Sequence, residues 1–158
     1  MPELLKIGNL KTEDGKVFPA LFPLKDLKGL SFTLNDTNRE EVNLSLQYLA
    51  LQIIQQLDDK NLKITIIDPK KIGTNFKYIR RLSKTHIEEL VFDEDSIKTS
   101  INNNFNKSIS IINECLTHYE NLDDYNEGSG SIQPYRFFFI ADFPYGFRDS
   151  LDKLNTLI

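Results

Sequence analysis

Two kinds of apolar spacing alternate along the chain. Val42, Leu46, Leu49, Ile53 and Leu57 recur at helical steps, with Ala50 and Ile54 widening the stripe. Ile97, Ile101, Phe105, Ile109, Ile112, Leu116 and Tyr119 repeat the pattern further on. Each stripe predicts an amphipathic helix with one side on a core. Shorter runs at 62–67, 87–92 and 135–142 lack that period and predict strands. From Phe137 to Ala141 the last run is apolar throughout, as in a strand covered on both faces. Pro134 and Pro144 bound it, and it stops on the carboxylate Asp142, which makes it the expected centre of the fold.

The remaining segments complete the order. Residues 3–24 read as a peripheral hairpin turning at Glu13-Asp14-Gly15, with Pro19 and Pro23 marking an edge strand. Residues 29–34 read as a short strand. Thr37 and Glu40 have the spacing of a capping box, so the first long helix is expected to start at Thr37 and run to Leu57. Residues 70–84 form a basic loop and short helix. Asp95 or Ser96 is expected to cap the second long helix. Residues 123–133 are polar, contain Gly128 and Gly130, and read as a surface loop. Leu151, Leu154 and Ile158 share one face of a closing helix that begins near Phe147. Strands alternating with long helices predict parallel β-α-β units, and hence the α/β class. We divide the chain into a hairpin extension, 1–28, and one α/β domain, 29–158.

Composition narrows the function classes only slightly. The chain has 158 residues and a net charge of −4, so any basic site is local. Cys115 is the single cysteine, which excludes an internal disulfide and makes a reducing, cytoplasmic setting the expectation. No apolar run approaches the length of a membrane helix, so no membrane partner is expected. His86 and His118 have no ligand partners at metal spacing, and no metal site is expected. Cys115 and His118 are three residues apart on a helix, but Cys115 adjoins the apolar face and reads as inert.

Several short motifs fall in one recognisable order. Ile67-Asp-Pro-Lys-Lys71 follows a β-branched run; Gly73-x-Asn75-Phe76 comes next; then His86, Val91 and Asp93. Asn121-Leu122 and Tyr125-Asn126-Glu127 follow the second helix, and Ala141-Asp142-Phe143-Pro144 ends the last strand. Over residues 20 to 158 this resembles the FtsK/SpoIIIE-like DNA-translocating P-loop ATPases. It looks most like an altered domain that accompanies an intact one in large bacterial proteins. The resemblance implies a three-layer α/β/α P-loop NTPase-like fold with a mainly parallel sheet behind the N-terminal hairpin. The family's sheet continues past the Walker B strand, so here it is expected to be truncated after that strand and the next helix. The strand ending at Asp142 takes the Walker B position.

The departures from the family are as informative as the matches. A phosphate loop needs glycines, which let backbone N–H groups close on the phosphates, and a lysine that reaches them. After the strand at 29–34 the chain offers Asn35, Asp36, Thr37, Asn38, Arg39 and Glu40, with neither Gly nor Lys. Asp36, Glu40 and Glu41 place negative charge at the helix start that phosphate would otherwise use. The family's Walker B Asp is followed by a Glu that orients water; here Asp142 is followed by Phe143. No catalytic residue and no bound cofactor are therefore expected.

One other cluster carries chemistry. Lys70, Lys71, Lys77, Arg80, Arg81 and Lys84 are interleaved with Phe76 and Tyr78, and no acid intervenes before Glu88. Cations mixed with aromatics suit a phosphodiester backbone and its bases, or a protein partner; the plain alternative is a solvated helix face. Arg80 and Arg81 are adjacent, so on a helix they point about 100° apart. The leading expectation is a non-catalytic scaffold or regulatory module of a DNA-translocase-type oligomer, partnered by an active ATPase domain or subunit. The alternatives are a DNA-contacting module using 70–84, and an active ATP-dependent translocase domain with an unusual loop.

Overall fold

The computed structural model describes residues 4–24, 28–82 and 85–157. The expected Lys84 and Ile158 lie outside them. The chain divides into two compact units, Met1–Leu57 and Asp58–Ile158.

In the first unit, β1 (Leu4–Lys11) and β2 (Val17–Pro23) form the expected antiparallel hairpin. Gly15 takes the turn with φ 83, a value glycine adopts without a Cβ clash. The helix α1 (Arg39–Gln56) packs beside β1 with Leu49, Ala50 and Ile53 buried. Gln52 fixes that packing. Its Oε1 accepts from the Lys6 N–H and its Nε2 donates to the Lys6 carbonyl, both at 2.9 Å. One side-chain amide thus stands in for a strand neighbour on the open edge of β1.

Two expectations fail in this unit. Residues 29–34 form no strand; they are exposed apart from half-buried Phe32 and Leu34. A strand needs a ladder, and the Thr33 carbonyl is taken by the Asn38 side chain at 3.1 Å instead. The N-cap of α1 is Asn38, not Thr37. Asn35 explains the shift. Its Oδ1 accepts from the Thr37 N–H, the Thr37 hydroxyl and the Asn38 N–H, which closes the turn one residue later.

The second unit is built on a three-stranded parallel sheet in the order β4-β3-β5. These are β3 (Leu62–Ile67), β4 (Ile87–Val91) and β5 (Tyr135–Ile140). The chain is therefore α/β, with a parallel sheet in one unit and a hairpin in the other. The central strand is β3, whose Leu62, Ile64, Ile66 and Ile67 are fully buried. β5 was expected there; it lies at an edge and its Tyr135–Phe138 are only half-buried. An apolar run marks burial but not the order of strands.

One face of the sheet carries α3 (Glu94–Glu114) and α5 (Leu151–Leu157). Ile67, Val91, Ile97, Ile101, Phe147 and Leu154 make the core between them, with Phe138 and Ile140 against it. On the other face Phe76 meets Phe139 edge-on at 6.4 Å. The cap of α3 is Asp93, accepting from Ser96 N–H at 2.9 Å, and not Asp95 or Ser96. The stripe on α3 holds only through its first turns. Ile97 and Ile101 are buried, whereas Ile109 and Ile112 are 42% and 58% exposed. Geometry accounts for this: a helix of 21 residues runs about 30 Å, whereas a six-residue strand runs about 20 Å. The helix overshoots the sheet.

The segment before β5 is not all loop. The short helix α4 (Leu122–Gly128) is capped by Asn121. Asn126 then clamps Gln133, accepting its N–H at 2.7 Å and donating to its carbonyl at 2.9 Å. The capping residue Asn121, followed by two acids, was the overlooked signal.

Candidate functional site at the carboxyl ends of the parallel strands

The register aligns Ile67 of β3 with Val91 of β4 and Ile140 of β5, so all three strands end on one rim. Asp68 N–H donates to Val91 O at 3.0 Å and Ala141 N–H to Ile67 O at 2.9 Å, carrying the pairing one residue further. Asp68, Asp93 and Asp142 therefore stand at the end where ligands of α/β sheets sit.

Asp68 is fully buried and spends its carboxylate on its own loop. Its Oδ2 accepts from the Asn75 N–H at 3.1 Å, and its Oδ1 from the Asn75 amide at 3.0 Å and the Lys71 N–H at 3.3 Å. The loop rises through two left-handed residues, Ile72 with φ 52 and Gly73 with φ 76. A β-branched residue rarely adopts that conformation. Here the Ile72 N–H bond to Asp68 O and the Thr74 N–H bond to Lys71 O, both 3.0 Å, hold it. Space at Gly73 is tight: a Cβ there would come 2.9 Å from Arg80 Nη1 and 3.0 Å from Phe92 Cε1, so the Arg80 side chain would have to shift. A 3-10 turn (Thr74–Phe76) then leads into α2 (Lys77–Leu82).

The β5 loop closes tightly as well. Asp142 is left-handed, with φ 55, a conformation Asp tolerates better than most residues. Tyr145 N–H donates to its carbonyl at 3.0 Å, and the Phe143–Pro144 peptide is cis. Gly146 is wedged between two elements: a Cβ would lie 2.8 Å from Ile97 Cδ1 and 3.7 Å from Pro69 Cβ. The two loops therefore abut, and the Lys70 ammonium lies 5.0 Å from the Tyr145 ring centroid.

The predicted basic residues divide by role. Arg80 turns back, its Nη1 donating to Gly73 O at 3.3 Å and Ile72 O at 3.5 Å. Arg81, next on α2, is exposed, as the helical angle requires. Lys70, Lys71 and Lys77 are exposed too, and Lys77 lies 4.9 Å from the Tyr78 ring centroid. Sequence reasoning missed the other half of this surface. Phe143 and Tyr145 are 52% and 56% exposed, and Ile72 and Tyr78 are exposed as well. Aromatics beside Pro144 and Gly146 in a loop were the available signal.

The carboxylates at the edge of the rim are engaged. Asp93 titrates below the usual range because the Ser96 N–H, then the Ser96 hydroxyl, hydrogen-bonds its charged form. The degenerate phosphate-loop residues, Asn35 to Glu40, lie in the first unit, where Asn35 and Asn38 bond reciprocally: Asn35 N–H donates to Asn38 Oδ1 at 2.8 Å. Among the described residues, no group of His, Cys, Asp or Glu is arranged to hold a metal ion. No helix among them is long and apolar enough to cross a membrane.

Comparison with family models, with curated proteins and with solved structures finds no match in any of the three.

Proposed function

We propose that the chain is a non-catalytic FtsK/SpoIIIE-like domain of P-loop NTPase type. It serves as a scaffold or regulatory contact module of a DNA-translocase-type assembly, and an active ATPase domain or subunit of that assembly is its partner. The parallel order β4-β3-β5, with Asp142 at the rim, supports the kinship.

The loss of catalysis is carried by the turn at 35–38. The N–H groups of Thr37 and Asn38, which a phosphate loop would aim at its ligand, are already satisfied by Asn35 Oδ1 at 3.0 Å each. Glu40 and Glu41 follow in the first turn of α1, where their charge opposes phosphate. At the end of β5, Phe143 takes the place of the water-orienting Glu, and a phenyl ring cannot polarise water.

Isothermal titration of the full chain with ATP and Mg²⁺ tests the proposal. No heat of binding and no phosphate release are expected. Micromolar binding or turnover overturns it.

A further inference from the structure

We infer that the end of α3 that passes beyond the sheet is a docking face for a second copy of this chain. The two helices lie antiparallel about a two-fold axis, with Ile112 beside its twin.

Three observations carry it. First, one side of α3 is only partly used. Asn102, Phe105, Ile109 and Ile112 step by three, four and three, so they share one side of the helix. α5 sits on the first two. Its Lys153 donates to Asn102 Oδ1 at 2.6 Å, and the same ammonium lies 5.7 Å from the Phe105 ring centroid. The seven residues of α5 span about 10 Å, against about 30 Å for α3. Further along, Ile109 and Ile112 are 42% and 58% exposed. A side that already seats one helix thus continues with room for another. Second, alternate steps of three and four are the spacing by which paired helices seat their apolar side chains in one another.

Third, the stripe carries almost no charge. The chain is 27% charged, yet Lys107 is the one charged residue in 99–113. It points off the stripe to Glu88 Oε1, at 3.0 Å. Close to a two-fold axis each side chain meets its own copy, so a charge there repels itself and a neutral stripe does not. Asn106 and Asn113, both exposed, border the stripe. Each amide holds a donor and an acceptor, so an identical amide satisfies it. A different partner helix is ordinarily selected by charges on such borders, and this one offers none. Depletion of charge is also what marks the centre of protein interfaces.

Sedimentation velocity of the full chain, from about 10 µM to about 1 mM, tests this. The sedimentation coefficient should rise with concentration from monomer towards dimer, since a contact of a few helical turns falls at the small, weak end of interfaces. Ile112→Glu sets a carboxylate beside its twin and should weaken dimerisation roughly tenfold or more, while Ile112→Leu keeps it. In a Cys115→Ala background, Ile112→Cys should cross-link to a dimer under mild oxidation. Asn103→Cys, on the opposite side of the helix, should not. Circular dichroism confirms the fold of each variant. The chain remaining monomeric through about 1 mM overturns the inference and reserves the stripe for a helix of another protein. It also fails if Ile112→Glu dimerises like the parent, or if Asn103→Cys cross-links as readily as Ile112→Cys.

Discussion

Asn75 gives both its backbone N–H and its side-chain amide to Asp68, at 3.1 Å and 3.0 Å. That one pair sets the β3 loop, because Asp68 also takes the Lys71 N–H and leaves Ile72 and Gly73 to turn through the left-handed region. Asp68→Ala leaves the half-buried Asn75 amide and the Asn75 and Lys71 N–H groups without their acceptor. A loss of about 2–3 kcal/mol in urea unfolding is expected. Asn75→Ala removes one partner while Lys71 N–H still reaches the carboxylate, so hydrogen exchange should show faster opening at 71–76 in both variants, and more so in Asp68→Ala.

The junction of the two loops makes a second prediction. Gly146 has φ 83 and faces Ile97 Cδ1 at 2.8 Å from an added Cβ. Gly146→Ala therefore meets both backbone strain and a clash, with an expected cost of about 2–4 kcal/mol. Gly130 has a similar φ of 73 but nothing within 4 Å of its Cβ position. Gly130→Ala should cost only the strain, about 1–2 kcal/mol. Equal losses in the two variants by thermal or chemical unfolding would contradict the close approach of the β5 loop to Ile97 of α3.

Acid should act through Glu88. Burial alone would raise its carboxyl, but the Lys107 ammonium at 3.0 Å and the Arg136 guanidinium outweigh it and hold the group below its usual range. A carboxyl lowered in the folded state stabilises above its unfolded pKa, and that contribution is lost as pH falls through the lowered value. Glu88→Gln should cost at most about 1 kcal/mol near neutral pH, because the ions are partly exposed and screened by salt. The gap between parent and variant should close on acidification. A gap that persists or widens in acid assigns the effect to packing.

Much of the fold was legible in the sequence, and the errors have separate physical sources. β3, β4 and the hairpin follow their apolar runs closely, because local period and turn residues decide whether a strand forms. Which strand is central is decided by pairing with distant segments, and the apolar run of β5 carries no information on that. The strand expected at 29–34 failed for the same reason: a side-chain turn around Asn35 took its partners. The basic half of the rim, from Lys70 to Arg81, is contiguous and could be read directly. Its aromatic half comes from Phe143 and Tyr145, about seventy residues away, and only the parallel register brings the two together.

The overshoot of α3 predicts a sharp contrast along one stripe. Ile101 is fully buried and Ile112 is 58% exposed. Ile101→Ala should cost about 2–5 kcal/mol, and Ile112→Ala should stay within about 0.5 kcal/mol of the parent. Comparable losses at both positions in urea unfolding would place the end of the helix on a core.

The most direct measurement is an amide-resolved NMR titration of the full chain with Mg²⁺–ATP. We expect the amides of 35–40 and of 141–146 to stay where they are through a large excess of nucleotide. Saturable shifts at Thr37, Asn38 and Arg39 together with Asp142 would mean that a triphosphate is held after all, and would contradict the account.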